Sequence, residues 1–191
     1  PGVTVKFDAS TYLEIRSGEL YAVGNNTDSI TFTSNSANPD YRDWEGIRFT
    51  DSVIIHFEFC AFEYSNIAIN NTYYYSFVEI KKSKFYYNIL GIHGYSSYQS
   101  MNIDSCCFEK NYTGAIETHS IINCFFINNR VGVYDVCILK NSILCGNIQG
   151  CYSVDSLIRS TISKNEIGFL GSSNLFMDNE FTENNTAIYG Y

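Results

Sequence analysis

From residue 53 onward, large apolar residues recur at fixed offsets from one small polar position, occupied in turn by Cys60, Ser83, Cys106, Cys124, Ser142, Ser160 and Asn179. Three residues before it stand Phe57, Ile80, Ile103, Ile121, Leu139, Leu157 and Phe176. Two residues after it stand Phe62, Phe85, Phe108, Phe126, Leu144, Ile162 and Phe181. An Asn column follows (Ser65, Asn88, Asn111, Asn129, Asn147, Asn165, Asn184), and three residues later a Gly column (Ala68, Gly91, Gly114, Gly132, Gly150, Gly168, Ala187) that Gly46 extends one copy upstream. Directly after the Gly column comes a third apolar set: Ile47, Ile69, Ile92, Ala115, Val133, Cys151, Phe169 and Ile188. The steps between copies are 22, 23, 23, 18, 18, 18 and 19 residues. A period near 20 is the mark of a solenoid. Three inward ladders per period, separated by bends, predict a three-sided parallel coil whose strands stack on their equivalents about 4.8 Å away.

Residues 1–52 carry the same arrangement more loosely. Val3, Val5 and Phe7 alternate, as do Leu13 and Ile15, Leu20 and Ala22, Ile30 and Phe32, and Ile47 and Phe49, which predicts five short strands on successive sides of the coil. The longest loop, Thr33 to Asp43, ends at Trp44. The expected architecture is all-β and a single domain over 1–191, with irregular coils over 1–52 and regular coils of 18–23 residues over 53–191.

Composition narrows the partners. The 16 Tyr, 14 Phe and many β-branched residues favour strands, while Asn and the 13 Gly are expected at the bends because both tolerate positive φ. A net charge of −8 repels phosphate backbones, so nucleic acid is not an expected partner. No apolar run approaches the roughly 20 residues that span a bilayer. The chain opens as a strand at Val3 to Phe7 and stops within a repeat at Tyr191, which reads as a fragment or processed part of something longer. Strand edges without polar caps at the two ends lead to an expectation of end-to-end or side-by-side packing.

Seven cysteines point to an oxidising setting, extracellular or at the cell surface. With no C-x2-C pair, no metal site or other cofactor is expected. Cys106 and Cys124 occupy one column in adjacent coils, within disulfide range, and form the best intrachain pair; burial as small core hydrophobes is the alternative reading.

The opening Pro1 to Phe7, Leu13 to Ala22, Ser29 to Ser34 and Trp44 to Ile47 resemble the start of many secreted right-handed parallel β-helix proteins of the pectate-lyase-like superfamily. Phe108 to Asn111 and Gly114 to Ile116 are similar to the Phe-x-x-Asn and Gly-Ala-Ile elements of chlamydial polymorphic membrane proteins. The resemblance implies a right-handed parallel β-helix. It leaves activity open, because this superfold carries lyases, hydrolases, adhesins and fibres.

Two kinds of site are therefore considered. Glu117 and Asp135 share a column in adjacent coils, with His93 and His119 nearby, and such a pair suits a retaining glycosidase or a cation site. The column continues as Ser153, Gly171 and Gly190, so a solvated bend explains the acids too. The outward column Arg48, Asn70, His93, Ile116, Tyr134, Tyr152, Leu170, Tyr189 becomes an apolar and aromatic stripe over its last five members. On the preceding side, Cys107, Phe125, Ile127, Ile143 and Cys145 also face outward. Stripes of this kind mark interaction surfaces, although simple ladder stacking also places such residues outside a strand. The expected function is a structural or adhesive surface protein that contacts itself, other surface proteins or glycans. The alternatives are a polysaccharide-degrading enzyme using Glu117 and Asp135, or a non-catalytic carbohydrate-binding module.

Overall fold

The computed structural model describes residues 1–73, 75–95 and 101–190. All its paired strands are parallel, and no helix occurs among the described residues. The chain winds repeatedly over three faces. The first is a nine-stranded sheet: Thr4–Phe7, Ile30–Ser34, Cys60–Glu63, Lys84–Tyr86, Cys107–Glu109, Phe125–Ile127, Ile143–Cys145, Thr161–Ser163 and Glu180–Thr182. The second runs from Tyr12–Ile15 through Trp44–Phe49, Ser65–Asn71 and Leu90–His93 to Ile167–Leu170 and Thr186–Tyr189. The third runs from Gly18–Val23 through Val53–Glu58, Phe77–Lys81 and Met101–Asp104 to Leu175–Met177. Three long strands, Thr113–Ile122, Val131–Lys140 and Gln149–Ile158, bend to serve both the second and third faces. This is the three-sided parallel β-helix that the periodicity predicts.

The register of all three inward ladders agrees with the sequence columns. Phe57 pairs with Ile80, Ile80 with Ile103, and so on to Leu157 and Phe176. The other two ladders follow equally, and their members are fully buried through the middle coils. Phe32, Phe62, Phe85, Phe108 and Phe126 form one column of near-parallel rings with centroids 5.1, 4.9, 4.6 and 4.6 Å apart. Like side chains fall above like because the chain repeats, and each ring buries both faces against its neighbours.

The corners meet the composition-based expectation only in part: asparagine or glycine takes the bend at Asn123, Asn128, Asn141 and Gly146, and other residue types take it elsewhere. Positive φ does not fall on the Asn column but on the residue before it: Tyr64, Tyr87, Lys110, Asn128, Gly146, Lys164 and Glu183. The same holds before the small polar column, at Phe59, Lys82, Ser105, Asn123, Asn141, Arg159 and Asp178. A left-handed conformation costs an L-residue about 1 kcal/mol or more. It is offset because the corner N–H groups continue the ladder into the next coil, as from Lys110 to the Ile127 carbonyl at 3.1 Å and from Asn123 to the Lys140 carbonyl at 3.0 Å.

The asparagines themselves point inward. Asn129 Oδ1 accepts from the Asn111 main-chain N–H at 2.8 Å and from Asn111 Nδ2 at 3.1 Å. Its own Nδ2 donates to the Phe108 carbonyl at 2.9 Å and to Asn147 Oδ1 at 3.1 Å. The pattern recurs from Asn88 to Asn184 and ends at Ser65, whose N–H and hydroxyl both donate to Asn88 Oδ1. Below Ser65 lies Trp44, fully buried, donating its ring N–H to the Glu63 carbonyl at 2.7 Å and stacked 4.1 Å from Phe7.

Two further expectations are corrected. Gly46 does not extend the Gly column, because a bulge between Gly46 and Ile47 pairs Gly46 with Ile67 while Ile47 pairs with Ile69. In the regular coils the column requires glycine for close approach, not for backbone freedom: a Cβ on Gly114 would lie 2.4 Å from the Gly132 carbonyl oxygen and 2.6 Å from the Phe126 ring.

Candidate functional faces

The corner between the second and third faces holds the carboxylates. Glu117 and Asp135 adopt φ of 52° and 51°, and Ser153 at 51° and Gly171 at 110° continue the same bend. The acids thus stack one coil apart, as read from the sequence. His93 Nε2 lies 3.4 Å from Glu117 Oε2, and His93 Nδ1 lies 3.1 Å from Asn70 Oδ1. Partial burial pushes the Asp135 carboxyl above its ordinary pKa, and the charges of Glu117 and then Asp155 add to the shift. His119 lies two residues beyond Glu117, at the start of the third face. Among the described residues, no group of three or more His, Cys, Asp or Glu is placed to hold a metal ion.

A group whose folded pKa is raised contributes stability below its unfolded pKa and loses that contribution as pH rises through the folded value. Asp135→Asn should therefore stabilise the fold at neutral pH, and asparagine also tolerates the left-handed corner better than most residues. The gain should fade as pH falls from the raised folded value towards the ordinary aspartate value of 3.8, and be absent below it. Thermal melts between pH 3 and pH 8 check this, and a destabilised variant at pH 7 would show that Asp135 is held by contacts its carboxylate needs.

Surface clefts lie away from these acids. One of about 310 Å³ on the second face is lined by Ser10, Tyr12, Glu45, Arg48, Asn66 and Asn70. There the Arg48 guanidinium lies 3.6 Å over the Tyr12 ring and pairs with Glu14 at 3.0 Å, so both cation and ring face are already engaged. Another of about 230 Å³ on the first face is lined by Glu63, Lys84, Tyr86, Cys107 and Glu109.

The outward stripes are in register. On the second face Ile116 pairs with Tyr134, Tyr134 with Tyr152, Tyr152 with Leu170 and Leu170 with Tyr189. Tyr134 and Tyr152 stack at 4.9 Å and 14°, with Tyr134 40% and Tyr189 58% exposed. On the first face Cys107, Phe125 and Ile143 form one outward row, and Ile127 with Cys145 the adjacent row. Phe125 and Ile143 keep 44% and 37% of their surface in water.

The cysteines are free thiols. Cys106 and Cys124 stack as expected but are not joined: the Cys106 N–H donates to Cys124 Sγ at 3.4 Å, while Cys106 Sγ approaches the Asp104 carbonyl at 3.3 Å. They fill the position that serine takes in neighbouring coils, where Ser142 Oγ accepts from the Cys124 N–H at 3.1 Å. Burial pushes the Cys106 thiol well above its ordinary pKa, and hydrogen bonding to Cys124 reinforces the shift. Asn-x-Thr occurs at Asn25, Asn70, Asn111 and Asn184; of these Asn111 is buried with both amide hydrogens engaged, which leaves no room for a glycan in the folded chain.

Two features escaped the sequence reading. Tyr41, Tyr64, Tyr86 and Tyr87 cluster at the corner between the first and second faces, with Lys110 Nζ 3.2 Å from the Tyr86 hydroxyl. Tyr64 and Tyr87 precede the Asn column and were legible as a pair, but Tyr41 arrives from the long loop. The second is a pair of charges, Lys84 and Glu180, five coils apart in the same first-face row. No family model matches this chain, and neither the curated proteins nor the solved structures give a match.

Proposed function

We propose that this chain is an extracellular structural or adhesive surface element that works by contact, with copies of itself or with other surface chains and glycans, through its outward apolar ladders. The observation that carries this reading is the pair of in-register outward stripes on two faces, which keep Phe125, Ile143, Tyr134 and Tyr189 partly in water. Contiguous exposed apolar surface of this extent is what interaction sites retain. The resemblance to secreted β-helix surface proteins agrees with the location.

A second reading is a polysaccharide-cleaving enzyme at Glu117 and Asp135, and the raised Asp135 pKa favours it, since a general acid must hold its proton. Against it stand the corner, where the acids share an open bend with Ser153 and Gly171, and the two clefts described, neither of which these acids line. A sugar-binding module is disfavoured because Tyr134 and Tyr152 cover each other's ring faces. Sedimentation velocity across micromolar concentrations decides between these readings. Self-association or capture of a surface partner should weaken in Phe125→Glu or Tyr152→Glu. A chain that binds nothing and depolymerises an acidic polysaccharide, with activity lost in Glu117→Gln, overturns the proposal.

A further inference from the structure

The outward row of the first face runs, one residue per coil, Thr4, Thr31, Ala61, Lys84, Cys107, Phe125, Ile143, Thr161, Glu180. Across the six coils from Lys84 to Glu180 a cation and an anion flank the stretch, and its two most exposed apolar residues occupy the middle. Lys84 and Glu180 are exposed, and among the described residues neither has an ion-pair partner in its own chain. Over the same six coils the adjacent outward row reads Tyr86, Glu109, Ile127, Cys145, Ser163, Thr182, again apolar at its centre and polar outside it.

We propose that the first face packs on the first face of a second copy about a two-fold axis parallel to the strands, passing between the Phe125 and Ile143 strands. This inference rests on the contact-based reading above and specifies its partner and geometry. Such an axis reverses the coil order and keeps the strand direction, so each row meets itself inverted. Lys84 then lies opposite Glu180 of the second copy, Cys107 opposite Thr161, and Phe125 opposite Ile143. In the other row Ile127 meets Cys145, Glu109 meets Ser163, and Tyr86 meets Thr182. Every apolar residue faces an apolar or small one, and the two free charges face their opposites twice over.

The flanking corners were tested against the same axis. Along one edge Lys82 meets Asp178 and Asn123 meets Asn141. Along the other Lys110 meets Lys164, each beside its own carboxylate, Glu109 at 3.7 Å and Glu183 at 3.9 Å. Shifting the axis by half a strand spacing, onto the Phe125 strand, places Lys84 on Thr161 and Glu180 on Ala61 and leaves both charges unpaired; a full spacing places Lys84 on Ile143. One register is therefore selected, by the isologous logic of two-fold interfaces and by the cost of wrong pairings. Sheets pack about 10 Å apart face to face, and six strands span roughly 24 Å. The contact is at the small end of interface sizes, so the dimer is weak and concentration-dependent.

The test is sedimentation equilibrium of the chain up to the order of 1 mM, with Lys84→Glu, Glu180→Lys and the double exchange, each first shown to melt as the parent does. Each single variant should associate about tenfold or more weakly, and the double exchange should return to near the parent. Trapping gives an independent reading of register. Cys145 and its symmetry mate are offset by one strand spacing across the axis and Cys107 and its mate by three, so a bis-maleimide spanning about 10 Å should link dimers through Cys145. That product should disappear in Cys145→Ser and persist in Cys107→Ser. Association that ignores the charge variants, or a double exchange no better than the singles, overturns this register while leaving the contact-based function standing. A chain that neither associates nor captures a partner removes both.

Discussion

Phe126→Ala is expected to destabilise the fold by about 3–5 kcal/mol, the loss typical of removing a buried ring that its surroundings cannot replace. Phe126 is fully buried, stacks 4.6 Å from Phe108 and sits above Leu144 in the next coil. Its ring also presses on the space a Cβ at Gly114 would fill, so the ring is held on several sides by unyielding backbone. Phe126→Leu should cost far less, because Leu144 fills the same column one coil on. Denaturant melts measure both, and a loss below about 1 kcal/mol for the alanine variant would contradict the inward ladder.

The second large effect is expected at a polar residue. Asn129→Ala removes four hydrogen bonds at once: two accepted from Asn111, and two donated to the Phe108 carbonyl and Asn147 Oδ1. At about 1 kcal/mol per net bond, and more for each buried group left unpaired, the loss should reach about 3–5 kcal/mol. Asn129→Ser should retain part of it, since Ser65 occupies this column and donates to Asn88. If alanine and serine are equally mild, the ladder is not a stabilising network.

These two predictions mark what was and was not readable from residue order. The apolar ladders were fully legible, because side-chain volume and a fixed period leave only one face for Phe57, Phe62 and Ile69. The role of asparagine was not. Its tolerance of positive φ suggested the bend itself, which it takes at Asn123, Asn128 and Asn141, yet the bend also falls on Tyr64, Lys110 and Arg159, and the recurring Asn column lies one residue beyond it. What selects asparagine is its paired donor and acceptor, able to bond the coils above and below, and that depends on stacking no single coil displays. Gly46 misled for a related reason: the spacing was right and the bulge displaced it by one. The stripe residues were placed correctly, since facing outward follows from alternation with the ladders. Lys84 and Glu180 were equally legible in their column, but their meaning appears only when the six coils between them are inverted against themselves.

The chemistry of the molecule is divided accordingly. The interior is committed to holding the coil, with aromatic, asparagine and thiol or hydroxyl columns each satisfied by the coil next to it. The acids at Glu117 and Asp135 lie on a corner whose other members are serine and glycine. The outer faces are what remain free to act.

The most direct measurement of that claim is hydroxyl-radical footprinting of the chain from micromolar to millimolar concentration, with its surface partner added where one is captured. The account predicts that oxidation of Phe125 and Ile143, or of Tyr134 and Tyr152, falls as complexes form, while Tyr21 and Phe77 on the third face keep their reactivity. Unchanged oxidation of both stripes throughout, with protection instead at the Glu117 and Asp135 corner on adding an acidic polysaccharide, would contradict it.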